Sequence, residues 1–326
     1  MSRRRKGRDV HGIVLLDKPA GYSSSQAVQK VRWLFQARKA GHTGSLDPFA
    51  TGMLPICLGE ASKTAGFMIN ASKIYEARAM LGRSTTTGDI EGEIGQELPV
   101  PDLGFSEIMA VLNEFVGESE QIPPMYSALK HEGEPLYKLA REGREVERAP
   151  RSITVHSIDL LEWECSALVF RVHCSKGTYI RTLAEDIARK LGTCAHLTAL
   201  RRLEVEPFEE TGMFSLERLV TLSEAGTLDD VLLPVDAGIA DWPVVSLDGE
   251  ACRRFSHGNP VDAQNGPEGK VRVYGPGDIL LGLAEIDSSQ CLKPKRLFKY
   301  SGLFTLMNRG CCDCTSSNQG ARSEVG

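Results

Sequence analysis

Apolar positions along this chain fall into short runs separated by glycine- and proline-rich punctuation, and their spacing changes from segment to segment. Residues 12–17 are a brief apolar run with the length of a buried strand, followed by the turn Lys18-Pro19-Ala20-Gly21-Tyr22. Ser23, Ser24 and Ser25 then offer N-caps for a helix whose apolar face is Ala27, Val28, Val31 and Leu34. Residues 41–51 read as a loop punctuated by Gly41, Gly44 and Pro48; 53–58 read as a strand and 61–69 as a helix. Residues 74–82 alternate as a strand, whereas 84–95, rich in Thr, Gly and acids, read as an exposed loop. A capped helix is predicted over 106–115, strands over 153–161 and 168–174, and a helix over 178–191 ended by Gly192. Between Pro123-Pro124 and Pro150-Arg151 lies a separate excursion of mixed charge.

Antiparallel-looking strands with few βαβ repeats predict an α+β fold rather than a doubly wound sheet. After Pro234 the texture changes to short strands at 244–247, 270–274 and 279–285, separated by Gly/Pro turns. The expected organisation is a basic arm at 1–10, a main domain at 11–241, a small β-rich domain at 242–303 and a disordered tail at 304–326.

The 326 residues are 41% hydrophobic and 25% charged, which excludes a wholly disordered or collagen-like chain. No apolar run reaches membrane-spanning length, and Asp17 and Lys18 interrupt what would be the apolar core of a secretory leader. A cytoplasmic protein is expected. The nine cysteines are scattered and odd in number, so no disulfide framework is expected. Cys57, Cys165, Cys174, Cys194, Cys252 and Cys291 read as small buried hydrophobes. Cys311, Cys312 and Cys314 have no following ligand to complete a zinc site, and no metal is expected.

A net charge of −5 argues against a nucleic-acid partner until its distribution is considered. Residues 1–40 hold ten Lys/Arg against Asp9 and Asp17; residues 170–202 hold seven against Glu185 and Asp186. Such segregation can focus a positive field on one face of an acidic molecule.

Several chemical signatures fail. Ser62 stands where a phosphate-binding loop needs its second glycine in Gly59-Glu-Ala-Ser-Lys63-Thr64. No G-x-S-x-G elbow and no H-E-x-x-H pair occurs. The segment Gly41-His-Thr-Gly-Ser-Leu-Asp47-Pro-Phe-Ala-Thr-Gly52 remains, with an acid inside a glycine-punctuated loop and Pro48 fixing the chain after it. By itself this also describes a turn or cap aspartate.

His42-Thr43-Gly44-Ser45-Leu46-Asp47-Pro48, with Ala50-Thr51-Gly52-Met53-Leu54, resembles the signature of the TruB family of pseudouridine synthases. The resemblance continues through Leu16-Asp17-Lys18-Pro19, through Gln121-Ile-Pro-Pro-Met-Tyr-Ser-Ala-Leu-Lys130, through Cys174-Ser-Lys-Gly-Thr-Tyr-Ile-Arg-Thr182, and through Leu200-Arg201-Arg202. It implies a mixed, largely antiparallel catalytic domain with a small PUA-like domain, and isomerisation of uridine 55 in the TΨC loop of tRNA without metal or organic cofactor. It implies Asp47 as the catalytic aspartate, Tyr75 as the aromatic that stacks on the target base, and Arg181 as the partner of the aspartate. His42, Tyr179 and Leu200 would line or disrupt the nucleotide's path, with Lys18-Pro19 supporting the catalytic loop. Residues 123–151 would be an RNA-gripping insertion, and the partner would be the T-arm and acceptor stem of tRNA, bound by a monomer without guide RNA.

A carboxylate can attack sugar or base as a nucleophile, at C1′ or at C6, and a permanently charged arginine keeps it ionised. A base in a folded RNA loop has to leave its stack before side chains reach it. His42 either fills the space so vacated or is a satisfied core histidine. A tRNA folding helper would use the same basic surface without chemistry. A pure binder has no use for a carboxylate facing phosphates, but the two roles are not exclusive, and the resemblance allows an enzyme that also assists tRNA folding. A guide-RNA-dependent synthase of the archaeal and eukaryotic type shares the aspartate loop, while the 123–151 insertion favours the stand-alone bacterial form.

Overall fold

In the computed structural model, which describes residues 7–300 apart from 165 and 264, the chain forms two compact units that divide between Gly238 and Ile239. Residues 1–6 of the arm expected at 1–10, the tail with its three cysteines, and Cys165 lie outside the described residues, while Arg8 and Val10 of that arm are held against the first unit, Val10 buried.

The first unit begins with β1 (Gly12–Lys18), α1 (Ser24–Leu34), β2 (Ala40–His42) and β3 (Thr51–Leu58). A 3-10 turn (Gly59–Lys63) leads into the short α2 (Ala65–Ile69), then β4 (Lys73–Leu81), β5 (Arg83–Thr85), β6 (Ile94–Glu97) and α3 (Phe105–Asn113). β7 (Gly117–Gln121) precedes the excursion, which consists of a small hairpin, β8 (Lys130–His131) with β9 (Glu134–Pro135), and α4 (Leu136–Arg141). The chain then forms β10 (Arg151–Glu164), β11 (Ala167–Cys174), α5 (Ile180–Lys190), β12 (Ala195–Val205), β13 (Phe214–Ser215) and α6 (Leu216–Glu224). Nine of these strands form one sheet in the order β13-β1-β3-β12-β4-β11-β10-β7, with β2 also on β3. Only β1–β13 and β3–β12 pair in parallel, so the sheet is mixed and largely antiparallel.

The alternation in β4 sorts the two faces of this sheet. Tyr75, Ala77, Ala79 and Leu81 enter a core with Leu54, Ile56, Phe170 and Val172, while Glu76 and Arg78 point away. On that polar face Arg171 lies 3.5 Å from Glu76, directly across the ladder, and Arg201 is paired with Asp17 at 2.9 Å. α5 covers the core face through Ile180, Leu183, Ala184 and Ile187, an apolar stripe at helical spacing. At α1, Ser23 and Gln26 form a reciprocal capping box.

The second unit is a five-stranded sheet in the order β14-β16-β17-β18-β15, made of β14 (Val244–Ser246), β15 (Val261–Asp262), β16 (Gly269–Gly275), β17 (Ile279–Ile286) and β18 (Cys291–Leu297). α7 (Gly249–Ser256) contributes Cys252 and Phe255 to its core, against Val271, Val273 and Leu292.

The structure corrects several local expectations. Residues 84–95 are not simply an exposed loop: they run from β5 into β6, and Thr85 and Asp89 are buried. The helix expected over 61–69 breaks at Thr64, whose hydroxyl donates to the carbonyls of Ala61 and Val235. Cys194 and Cys291 are only half-buried, and the Cys194 thiol donates to the Gln96 carbonyl. β12 escaped the pattern because register shifts near Thr198 and Leu203 break its alternation and because Arg202 occupies an inward position. No described helix is long and apolar enough to cross a membrane.

Candidate active site

The loop between β2 and β3 carries Asp47, and it is held from every side. The Ser24 hydroxyl, at the start of α1, donates to the Leu46 carbonyl and accepts the Leu46 N–H, at 3.0 and 2.8 Å. Past Asp47, the Gly21 N–H and the Lys18 ammonium donate to the Pro48 carbonyl at 2.9 and 3.2 Å. Lys18 is fully buried and also donates to the carbonyls of Pro19 and Tyr22, so one cation fastens the 18–22 turn to the loop. Burial pushes its pKa down to about 8, against the attraction of Asp47 and Glu91. From the sheet side Arg202, 1% exposed, donates to the Met53 and Gly44 carbonyls at 2.7 and 3.1 Å.

Arg181, in the first turn of α5, is buried yet reaches Asp47 with Nε 2.9 Å from Oδ2. Its two terminal nitrogens donate to the Thr87 and Tyr126 carbonyls at 2.6 and 2.7 Å, and one lies 3.6 Å from Asp89 Oδ2. Asp89 is itself held in place, with Oδ1 accepting from the Thr87 hydroxyl at 2.6 Å and the Glu91 N–H at 3.0 Å. One guanidinium thereby joins the Asp47 loop, the β5–β6 connection and the 123–151 excursion. The Asp47 side chain keeps 37% of its surface open although protein atoms crowd round it, so it faces a concave, partly desolvated space. Burial raises its pKa, Arg181 opposes that, and the neighbouring Asp89 adds to the rise.

The remaining candidates are distributed around this pair. Tyr75 is buried on β4 in register with Arg202 of β12, and burial raises its phenol pKa while Arg202 pulls it back. Leu200, one turn of the ladder away, pairs with Ala77 and lines a groove of about 530 Å³ with Phe49, Thr51 and Ile90. Tyr179 caps α5; its N–H donates to Gln121 Oε1 at 2.8 Å and its carbonyl accepts from Gln121 Nε2 at 3.1 Å. His42 ends β2, and its Nδ1 accepts the Gly44 N–H at 3.2 Å. Burial and then Arg202 lower its pKa, which favours the neutral ring. The structure therefore brings Asp47, Arg181, Lys18 and Pro19 into one network; Tyr75 joins it through Arg202.

Two members carried no assignment from sequence. Asp89 lay in a stretch that looked solvated, and its only signal was acid density beside threonines. Arg202 lay in a quoted motif with no role, since nothing local distinguishes a buried arginine from its exposed neighbour Arg201. Among the described residues no group of three or more His, Cys, Asp or Glu is arranged to hold a metal ion.

Comparison with known proteins agrees with the fold. Residues 32–180 match the TruB family pseudouridylate synthase N-terminal domain, 181–240 the tRNA pseudouridylate synthase B C-terminal domain, and 243–298 the C-terminal domain of pseudouridine synthase II TruB. The tRNA pseudouridine synthase B of Nitrosococcus oceani is 50% identical over 304 residues, spanning 92% of this chain and 99% of its own. That of Dechloromonas aromatica is 49% identical over 297 residues, covering 91% and 98%. Among solved structures, a Cbf5-Nop10-Gar1 complex aligns with a TM-score of 0.67 at 26% identity, over 88% of this chain and 85% of that one. The chain belongs to the TruB family of pseudouridylate synthases. It is an isomerase that makes pseudouridine.

Proposed function

We propose that this enzyme converts uridine 55 in the TΨC loop of tRNA to pseudouridine, unaided by guide RNA, with Asp47 as the nucleophile. The observation that carries the reading is the Arg181–Asp47 contact of 2.9 Å, with Arg181 buried and the Asp47 side chain partly open. A carboxylate in a desolvated site drifts toward its neutral form, and the adjacent guanidinium holds it ionised. Ionised, it can attack the ribose C1′ or the uracil C6. The N1–C1′ bond then breaks, the uracil turns, and a C5–C1′ bond forms. N1 gains a proton, C5 loses one, and Asp47 leaves as it came, so the product is an isomer of the substrate.

The other residues bound the space in which the uracil turns. Tyr75, a phenol whose burial moves it further from ionising, supports the base from the sheet as a wall and hydrogen-bonding group. Leu200 lines the groove by which a flipped nucleotide enters, and the neutral ring of His42 stands at the end of β2 beside the loop. Lys18 and Pro19 hold the loop that presents Asp47. Residues 123–151 grip the T-arm, and the second unit meets the acceptor stem. The high identity to bacterial proteins named tRNA pseudouridine synthase B, over nearly their whole length, supports the bacterial, guide-free form.

The test is release of tritium from C5-labelled uridine in an unmodified tRNA transcript, with the pure protein and no guide RNA. One equivalent is expected per transcript, and none from a transcript carrying cytidine at position 55. Equal release from both would refute the site assignment.

A further inference from the structure

The outer face of α1 carries a feature that the active site does not use. Trp33 is 69% exposed, the most open large apolar side chain among the described residues, and the Lys30 ammonium sits 5.2 Å from the centre of its ring. Beside it lies a groove of about 530 Å³ lined by Gly7, Gln29, Arg32, Trp33, Gln36 and Ala37. Arg38 and Arg8 flank this region but are partly neutralised, Arg38 by Asp9 at 3.3 Å and Arg8 by Asp229. Lys30, Arg32 and Lys39 have no carboxylate partner among the described residues. Gly7 follows Arg3, Arg4, Arg5 and Lys6 directly in sequence.

We propose that this face is a second RNA-binding surface, on which one unpaired nucleotide stacks against Trp33 while its flanking phosphates meet Lys30 and Arg32. The inference rests on the reading of tRNA as substrate. An exposed indole presents a π-face on which any base can stack, and unpaired cations next to it suit a polyanion. The core of a protein interface is depleted of charge, lysine above all, whereas here Lys30 sits over the ring itself. α1 also ties this surface to the site: its first residue, Ser24, clamps Leu46, and its rise places Trp33 about 14 Å away. A T-arm hairpin has its unpaired nucleotides in the loop that enters the active site. The nucleotide on Trp33 must therefore come from another part of the folded tRNA.

The experiment compares wild type, Trp33→Ala, Trp33→Phe and Lys30→Ala by filter binding to full-length tRNA transcript and to an isolated T-arm hairpin, with tritium release measured on both. Trp33→Ala is expected to weaken binding of full-length tRNA by about tenfold, the scale of one lost base stack, and Lys30→Ala by less. Trp33→Phe, which keeps a ring, should stay within about threefold of wild type, since Phe still offers a stacking face. Hairpin binding and turnover should not change in any variant. Unchanged affinity of Trp33→Ala for full-length tRNA would overturn the proposal, and so would an equal loss on both substrates. A variant that binds both RNAs normally but loses self-association in sedimentation would mark the face as a protein interface instead. If wild type released no tritium while the binding difference remained, the functional reading would fail and the surface would stand.

Discussion

Replacing Asp47 by Asn keeps the size of the side chain and removes its charge, so the loop clamps at Leu46, Pro48 and Gly44 should survive. Losing the nucleophile is expected to cost many powers of ten in rate. RNA binding should stay within about tenfold, because phosphate contacts elsewhere supply most of it. Tritium release and filter binding of the folded variant check this, and turnover above about a hundredth of wild type would remove Asp47 from the role of nucleophile. Lys18 makes a different prediction, in which activity and stability move in opposite directions. Its folded pKa of about 8 lies below its ordinary value, so between the two the unfolded chain holds more protons. The contribution of Lys18 to stability therefore rises with pH across that window, and buried Lys73, also pushed down to about 8, acts in the same sense. Above pH 8 the neutral Lys18 amine has two N–H groups for three carbonyls, and its hold on the Asp47 loop slackens. The turnover rate should fall above pH 8 without a matching fall in melting temperature, as rate profiles and thermal unfolding at each pH would show. A parallel decline in both would assign the alkaline limb to general unfolding.

Where β3 meets β12, the chain leaves room for nothing larger than hydrogen. Gly52 has φ +97°, and a Cβ there would fall 2.1 Å from the Arg202 carbonyl oxygen and 2.8 Å from its nitrogen. The parallel contact of Thr51 and Gly52 with Arg201 and Arg202 puts the end of the catalytic loop against the strand that carries Leu200 and Arg202. Gly52→Ala must push these strands apart. It should destabilise the fold by about 1–3 kcal/mol or more, as overpacking and left-handed backbone strain combine. Urea denaturation would measure the loss; stability within about 0.5 kcal/mol of wild type, the range of neutral surface changes, would mean the junction yields freely. At this scale the sequence was legible where one pattern ruled, as in α1 with its serine cap and regular apolar face. It was illegible in β12, where two register shifts scramble the alternation, and in residues 84–95, whose polar composition hid a buried aspartate.

For the whole molecule, the net charge of −5 is a poor guide, since RNA senses the segregated cations more than the total. Affinity for tRNA should fall steeply between low and physiological salt through counterion release, and a flat dependence would refute the electrostatic reading. Removing the second unit from Ile239 onward should weaken binding of full-length tRNA more than binding of a T-arm hairpin, because the acceptor-stem contacts proposed for that unit are ones the hairpin lacks. Equal losses on both RNAs would contradict that placement.

By itself the sequence determined the α+β class, most strands and helices of the first unit though not β12, the loop bearing Asp47, and, through motifs in order at matching spacing, the family. These depend on local spacing and on short runs of residues, which survive reading in one dimension. Only the tertiary structure decided how the motifs cooperate. Arg181 is 134 residues from Asp47 and 92 from Asp89, yet its guanidinium meets both. Arg202 reaches the loop from a strand whose pattern did not mark it as inward. An arginine's five donors can be satisfied by many partners, and which ones they are depends on the segments that the sheet and α5 bring within 3 Å. Nothing in the chain's local order records that.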